Sequence, residues 1–277
     1  MSESPYSDLE RPPLSEQALN RALVRPGSLW SAIGVVGETG STNADLVRAV
    51  RDGAGEGTVL VAESQTAGRG RLGRTWSTPP RSALTFSMVL RPVVPITRYG
   101  WLTLLVGVAV ATAVRRLAEV DARLKWPNDV LIGERKLAGV LAERAGDAVV
   151  VGVGLNVSLR EEELPVPTAT SLTLQEAACT DRDPLLRAVL REVESHYRDW
   201  TEADGDADAC GLRAAYLASS ATIGSRIRVE LPGERTLTGL AAGIDPAGHL
   251  VVTPDDPAEG PERVLSAGDV VHVRPRT

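Results

Sequence analysis

Four stretches of this chain carry polar or charged side chains, three of them among glycines, at spacings that suit ligand chemistry. The first is QTAGRGRLGRTW, residues 65–76. Gly68, Gly70 and Gly73 satisfy G-x-G-x-x-G, and Gly68, Gly73, Arg74 and Thr75 nearly satisfy the P-loop pattern. Both patterns work only where the glycines open a helix whose N-terminus faces phosphate. Here Ser77, Thr78, Pro79 and Pro80 follow at once, so no helix can run on, and arginine replaces the P-loop lysine. This context excludes a dinucleotide-dependent oxidoreductase. What survives is a loop with exposed backbone N–H groups and forked donors at Arg69, Arg71 and Arg74, a combination suited to a phosphate-bearing ligand. A solvated basic loop or an RNA contact would use the same residues.

The second stretch is Lys125-Trp126-Pro127-Asn128-Asp129-Val130. Pro127 restricts Trp126 to extended geometry. Asn128 and Asp129 offer oxygens that suit Mg²⁺ on a nucleotide, although a plain Pro-Asn-Asp turn accounts for them too. The third, KLAGVLAE at 136–143, sets Lys136 at a strand's start with Gly139 beyond it. A lysine there can neutralise a carboxylate or phosphoryl group. The fourth, VGVGLNV at 151–157, has glycines inside a strand, which mark a bulge or a close approach, and Asn156 at its polar end; sheet packing alone would explain the same pattern. Of 30 basic residues only Lys125 and Lys136 are lysines. A compact ammonium is not interchangeable with a planar guanidinium. His196, His249 and His272 lie far along the chain from these segments, and Cys179 and Cys210 lack metal spacing. No Ser–His or His-Glu-x-x-His arrangement is available. Chemistry built on Arg, Lys, Asn, Asp and backbone amides is electrostatic stabilisation at phosphorus.

Residues 1–13 read as a loose lead and 14–30 contain a short helix. Ser41 or Thr42 caps a helix carrying Leu46, Val47 and Val50 and ending at Gly53. Strands are expected at 58–62 and 84–90, a buried helix at 101–120, then strands at 123–126, 130–132, 136–143 and 148–157. Asp183-Pro184 opens an amphipathic helix with Leu186, Val189, Leu190, Val193, Tyr197 and Trp200 on one side. A further helix is expected at about 207–219. Short strands at 226–231, 236–244, 249–253, 263–265 and 270–274 follow, punctuated by turns at Pro232-Gly233, 245–248 and 255–257. That spacing suggests a small β-barrel behind an α+β body.

The 277 residues are 43% apolar and 24% charged, with a net charge of −6. The acidic balance argues against non-specific nucleic-acid binding, and one Phe with four Tyr is a poor stacking platform for single strands. The polar, Pro-containing N-terminus does not read as a signal peptide. The longest apolar run, 101–114, is shorter than the roughly 20 residues a bilayer span needs. A cytoplasmic protein without membrane or DNA partners is expected.

In order, ETGSTN at 38–43 and the segments 65–76, 125–130, 136–143 and 152–157 resemble the biotin–protein ligase family, over about residues 34–274. The resemblance implies an α+β fold: a mixed sheet flanked by helices, related to class II aminoacyl-tRNA synthetases, plus a small C-terminal SH3-like β-barrel. It implies a lead at 1–30 with no room for a winged-helix DNA-binding domain, a biotin- and ATP-binding catalytic domain at 31–220, and the SH3-like domain at 221–277. The implied reaction joins biotin and ATP into biotinyl-5′-AMP with release of pyrophosphate. Biotin then passes to a lysine of a biotin carboxyl carrier domain of a biotin-dependent carboxylase, releasing AMP. By resemblance, Ser41, Thr42, Asn43 and Gln65 hold the ureido head of biotin. Gly68, Arg69, Gly70 and Arg71 cover its carboxyl and the phosphate, with Lys136 and Gly139 completing the biotin side. Arg74, Trp76, Asn128 and Asn156 join Arg69, Arg71 and Lys136 around ATP and the adenylate. Asp129 meets Mg²⁺ through the nucleotide, and Lys136, Arg69 and Arg71 are the catalytic groups. No role is assigned to Lys125, and residues 158–170 either order over the nucleotide or form an inert surface loop. Lipoate- or octanoyl-transferring enzymes are the nearest alternative, and fit the Gly-Arg-Gly-Arg loop and the Lys-Trp-Pro-Asn-Asp turn less well.

Overall fold

The computed structural model describes residues 11–231, 235–266 and 268–272. The expected Pro232-Gly233 turn, the first ten residues of the lead and positions 273–274 of the last strand lie outside them. Alternating apolar runs build a seven-stranded sheet from β1 (Ala32–Val36), β2 (Thr58–Ala62), β3 (Ala83–Leu90), β4 (Ala122–Lys125), β5 (Asp129–Ile132), β6 (Arg135–Ala145) and β7 (Ala148–Asn156). Their order is β1-β2-β3-β7-β6-β5-β4; β1 and β2 are parallel and the other neighbours antiparallel. The helices are α1 (Glu16–Leu23), α2 (Thr42–Arg51), α3 (Trp101–Ala118), α4 (Arg182–Glu202) and α5 (Leu212–Ser219). A second, antiparallel sheet contains β8 (Arg226–Leu231), β9 (Arg235–Ile244), β10 (Leu250–Pro254), β11 (Arg263–Leu265) and β12 (Asp269–His272), ordered β11-β10-β9-β8-β12. The expected small SH3-like barrel is thus a five-stranded antiparallel sheet whose edge strands β11 and β12 are not paired with each other among the described residues.

The central strands β3 and β7 are buried along their whole length, as strands covered on both faces must be. Their two faces differ. Leu84, Phe86, Met88 and Leu90 of β3, with Val151, Val153 and Leu155 of β7, join the core that includes α3 and α4. The opposite face carries α2, whose Leu46 packs on Val89, Ala145, Ala148 and Val150. Two-residue periodicity continues that second face past the end of α2. There the positions are small: Thr85 and Ser87, Gly152 and Gly154, and Gly139, in register across three strands. A sheet surface without bulk leaves room for a ligand.

Several expectations need correction. The strand β1 has no counterpart in the sequence reading, because Ala-Ile-Gly-Val-Val is short and its alternation weak. The last helix begins at Leu212 rather than near 207: Asp206 Oδ1 accepts from the N–H groups of Asp208 and Ala209, and Gly211 sits at φ +75°, both breaking the helix N-terminally. The Trp126–Pro127 peptide is cis and Trp126 lies in a turn, not a strand. Helix α3 runs for 18 residues, so its length does not argue against a span as the shorter apolar run did. Its apolar sides are instead taken by the sheet and by α4, and 72% of it is buried. Residues 11–13 are also far from loose. Arg11 donates to both carboxylate oxygens of Glu163, at 3.1 and 2.6 Å, and to Ser158 O; Arg182 Nη2 donates to Pro12 O at 2.6 Å.

Candidate active site

Helix α2 begins at the site because Ser41, extended at φ −162°, caps it: Ser41 Oγ accepts from Ala44 N at 3.4 Å. This places Thr42 and Asn43, both buried, over the small-residue floor. Thr42 N donates to Gln65 Oε1 at 2.8 Å, and Thr42 Oγ1 lies 2.7 Å from Ser87 Oγ. Ser87 Oγ donates to Asn43 Oδ1 at 2.6 Å. Asn43 Nδ2 donates to Leu141 O at 3.2 Å and to Glu143 Oε2 at 2.8 Å. Gly152 makes the arrangement possible, since a Cβ there would fall 2.1 Å from Asn43 Oδ1.

The glycine- and arginine-rich segment folds back on itself. Gly70 N donates to Arg74 O and Trp76 N to Gly68 O, around a short 3₁₀ turn at Arg71–Gly73 in which Leu72 has φ +55°. Gly68 is required by crowding: a Cβ would meet Trp76 O at 2.3 Å and Gln65 Nε2 at 2.5 Å. The returning arm lays the Trp76 indole over Gly154, where a Cβ would sit 2.3 Å from the ring. The Trp76 Nε1–H is buried with no hydrogen-bond partner among the described residues. Arg69 reaches Glu143, with Nη1 3.5 Å from Oε1. Arg71 donates to Asn128 Oδ1 at 3.2 Å and, more weakly, to Gly268 O of the C-terminal sheet at 3.4 Å.

On the far wall, the Lys136 side chain folds over Gly139, with Nζ 3.1 Å from where a Cβ would lie. Lys136 Nζ forms an ion pair with the buried Asp129 Oδ1 at 2.6 Å. The segment 158–170 is a wall of the cleft: Lys136 N donates to Thr168 O at 2.7 Å and Thr170 N to Lys136 O at 2.9 Å. Asn128 Nδ2 is spent on Val140 O and Asn156 Nδ2 on Thr170 O, so each brings only part of its amide to a ligand. Lys125 stands beside His272 of β12, whose imidazole is held below its ordinary range chiefly by burial and then by that ammonium.

These walls enclose a cavity of about 520 Å³, within the ordinary range for a small-molecule site. Of the residues proposed from the sequence, all but Gly68 line it. Lys125, Val270 and Val271 line it too. The two valines could not be foreseen, because nothing local says which strand of the second sheet lies toward the first. Ser87 and Glu143 were also unassigned. A serine on a fully buried strand is the one available signal for the former; Glu143 closed a quoted motif but had no role. Among the described residues no three His, Cys, Asp or Glu side chains converge as a metal cage.

Comparison with known proteins bears on what this cleft does. Residues 42–158 match the biotin/lipoate A/B protein ligase family and residues 222–273 the biotin protein ligase C-terminal domain. The chain is 46% identical to the biotin–[acetyl-CoA-carboxylase] ligase of Mycobacterium tuberculosis, over 96% of this chain and 98% of that one. Among solved structures, the biotin protein ligase of Aquifex aeolicus in complex with biotin and ATP superposes with a TM-score of 0.73 at 28% identity, covering 89% of this chain and 100% of that one. The biotin protein ligase of Leishmania major with biotinyl-5-AMP superposes with a TM-score of 0.57 at 26% identity, covering 85% and 98%.

Proposed function

The chain belongs to the biotin protein ligase family, and we propose how its own residues divide the work of making biotinyl-5′-AMP and passing biotin to a carrier lysine. The observation that carries the assignment is one cavity lined by two chemically distinct sets of side chains. Its polar end presents the Thr42 hydroxyl and the Gln65 amide, uncharged groups that match the N–H and C=O of a urea. Arg69, Arg71 and Lys136 line the same cavity, cations for a carboxylate attacking phosphorus.

In the first step the biotin carboxylate oxygen bonds to the α-phosphorus of ATP, and pyrophosphate leaves with the electron pair. Lys136 offsets negative charge where carboxylate and phosphoryl meet, and Arg69 and Arg71 hold the phosphoryl oxygens. Such preorganised donors act most strongly where charge builds up in the transition state. Trp76, Arg74, Asn128 and Asn156 border the nucleotide, and Gly139 lets the Lys136 stem lie flat. Ser41 and Gly70 contribute backbone geometry: one starts α2, the other closes the loop on Arg74. Magnesium fits as an ion that arrives with the triphosphate, keeping most of its ligands from phosphate and water. The Asp129 carboxylate, ion-paired with Lys136, is the group that would meet it, and the ion would neutralise phosphate charge.

In the second step a carrier lysine amine attacks the biotinyl carbonyl and AMP departs. The partner is a biotin carboxyl carrier domain, a reading supported by the name of the Mycobacterium tuberculosis relative, a biotin–[acetyl-CoA-carboxylase] ligase. The catalytic unit is residues 31–220, with 221–277 as the SH3-like unit, and a cytoplasmic setting suits the reaction. The test is biotin-dependent ATP–pyrophosphate exchange by the purified protein with Mg²⁺, run beside lipoate and octanoate. Exchange is expected with biotin alone; equal exchange with octanoate would overturn the role given to the polar end.

A further inference from the structure

Arg11 belongs to the N-terminal segment, carries a full charge and is nevertheless buried. A buried guanidinium needs several acceptors. Its nitrogens reach three: both Glu163 carboxylate oxygens, at 3.1 and 2.6 Å, and Ser158 O at 2.6 Å. The two side chains of this ion pair are 9% and 21% exposed, whereas those of Arg135–Glu161, on the same stretch of chain, are 40% and 63% exposed. An exposed pair is worth little in water, so the buried one is the stronger tie. Arg11 holds the Glu163 carboxyl below its ordinary range against the opposing effect of burial, which keeps it charged. Glu163 Oε2 also accepts from Arg160 N at 2.8 Å and closes the turn 160–163 around the same carboxylate.

That turn runs directly into the cavity wall. Pro165, Val166, Thr168 and Ala169 line the cleft, while neither Arg11 nor Glu163 does. Ala169 bridges to Lys136, with Lys136 N donating to Thr168 O and Thr170 N to Lys136 O. Thr170 O accepts from Asn156 Nδ2 at 2.8 Å. A displaced wall therefore carries Lys136 and Asn156 with it. Arg11 has a firm base from which to hold the wall. Pro12 O accepts from Arg182 Nη2 at 2.6 Å, Leu14 N donates to Glu63 Oε1 at 2.6 Å, and Arg182 and Glu63 form a buried ion pair.

We infer that Arg11 is a positioning residue that clamps Glu163 and so fixes the wall 160–168 against Lys136 and Asn156, making the N-terminal segment part of the framework that holds the nucleotide. The inference rests on the proposed site, where Lys136 and Asn156 serve ATP, and deepens it. The polar end at Thr42 and Gln65 has no contact with this wall among the hydrogen bonds above, so the effect falls on ATP rather than on biotin.

The test uses the full chain and two readouts, one of which needs no activity. Hydrogen exchange at the amides of 160–170 reads the clamp itself. Kinetics of biotin-dependent ATP–pyrophosphate exchange give KM for ATP, KM for biotin and kcat. Arg11→Met keeps the apolar stem and removes the fork. In it the wall amides are expected to exchange roughly tenfold faster and KM for ATP to rise roughly tenfold, the worth of about one hydrogen-bonded tie, with KM for biotin near the wild-type value. Glu163→Gln loses the charge and one acceptor and is expected to shift the same quantities in the same direction by less; it decides the matter if Arg11→Met does not fold. The double variant is expected to rise no further than Arg11→Met alone, because both changes break one interaction. Arg11→Lys, with charge but no fork, is expected to lie between wild type and Arg11→Met. A purely structural role would lower the urea midpoint and leave the ratio of the two KM values intact. An unchanged ratio in the folded variants overturns the inference, and additive effects in the double variant would show that Arg11 does not act through Glu163. Absence of biotin-dependent exchange in the wild type would remove the proposed function instead; wall amides as protected in Arg11→Met as in the wild type would remove the clamp.

Discussion

Lys136 is placed by what its neighbours lack. Its stem lies over Gly139 and its ammonium meets Asp129 at 2.6 Å, a space that a planar fork cannot enter in the same pose. Lys136→Arg is therefore expected to cut biotin-dependent pyrophosphate exchange by about 10²-fold, the scale of losing one preorganised donor. Exchange at the wild-type rate would remove Lys136 from the reaction. Gly154 is as constrained: a Cβ 2.3 Å from the Trp76 ring must push the indole off the sheet. Gly154→Ala is expected to raise KM for ATP about tenfold, in line with an overpacking cost of about 1–3 kcal/mol. Titration of nucleotide binding checks it, and unchanged affinity would show that the indole does not border the nucleotide.

At the scale of elements, the loop 68–76 is fastened across the cleft at more than one point, Arg69 to Glu143 among them. Arg71 links it to the turn after β4 and to the C-terminal sheet, through Asn128 Oδ1 and Gly268 O. Arg71→Gly should leave the fold intact and let the adenylate escape. A trapped-intermediate assay reads this directly, and retention equal to the wild type would contradict it. On the opposite side, the buried pair Arg182–Glu63 joins the start of α4 to the end of β2, two residues before Gln65. Glu63 Oε1 also accepts from Leu14 N, so the N-terminal segment shares the same fastening. Arg182→Met strands a buried carboxylate and is expected to destabilise the protein by about 3–5 kcal/mol, measured by urea unfolding. A loss below about 1 kcal/mol would mean that Glu63 finds solvent instead.

Across the whole molecule, the two sheets share the cleft rather than merely adjoining it. Trp126 N donates to Thr222 Oγ1 and the Trp126 indole to Gly248 O, while the Trp101 indole donates to Pro246 O. His272 Nε2 lies 3.2 Å from the same Thr222 hydroxyl. Burial and Lys125 hold this imidazole below its ordinary range, with Glu134 pulling the other way. The unfolded chain therefore takes up the proton first as pH falls. Stability from this group is complete above about pH 6.5 and declines as pH drops through that value toward the folded one. His272→Gln keeps an acceptor for Thr222 without the titration. Its Tm is expected to fall less than the wild type's between about pH 7.5 and about pH 5. Parallel curves would assign the acid sensitivity elsewhere.

The two-sheet organisation, most element positions and the residues that meet in the cleft are legible in the amino-acid order. These are local properties: periodicity sets strands and helices, Ser41 sets the start of α2, and Gly68 to Trp76 sets a reversing loop. It also carried the family resemblance, because a ligand-binding surface constrains side chains in short runs along each strand. Tertiary structure alone decided how those residues face one another. That Gly152 exists to admit Asn43, that Ser87 and Glu143 orient it, and that Val270 and Val271 wall the cavity all depend on contacts between residues far apart in the chain. Strand β1 was lost for the same reason: its edge is satisfied by the Asn20 side chain, which donates to Ile33 O and accepts from Ile33 N, and by Glu16 accepting from Val35 N. A strand whose hydrogen bonds are completed by a helix's side chains needs little β-pattern of its own.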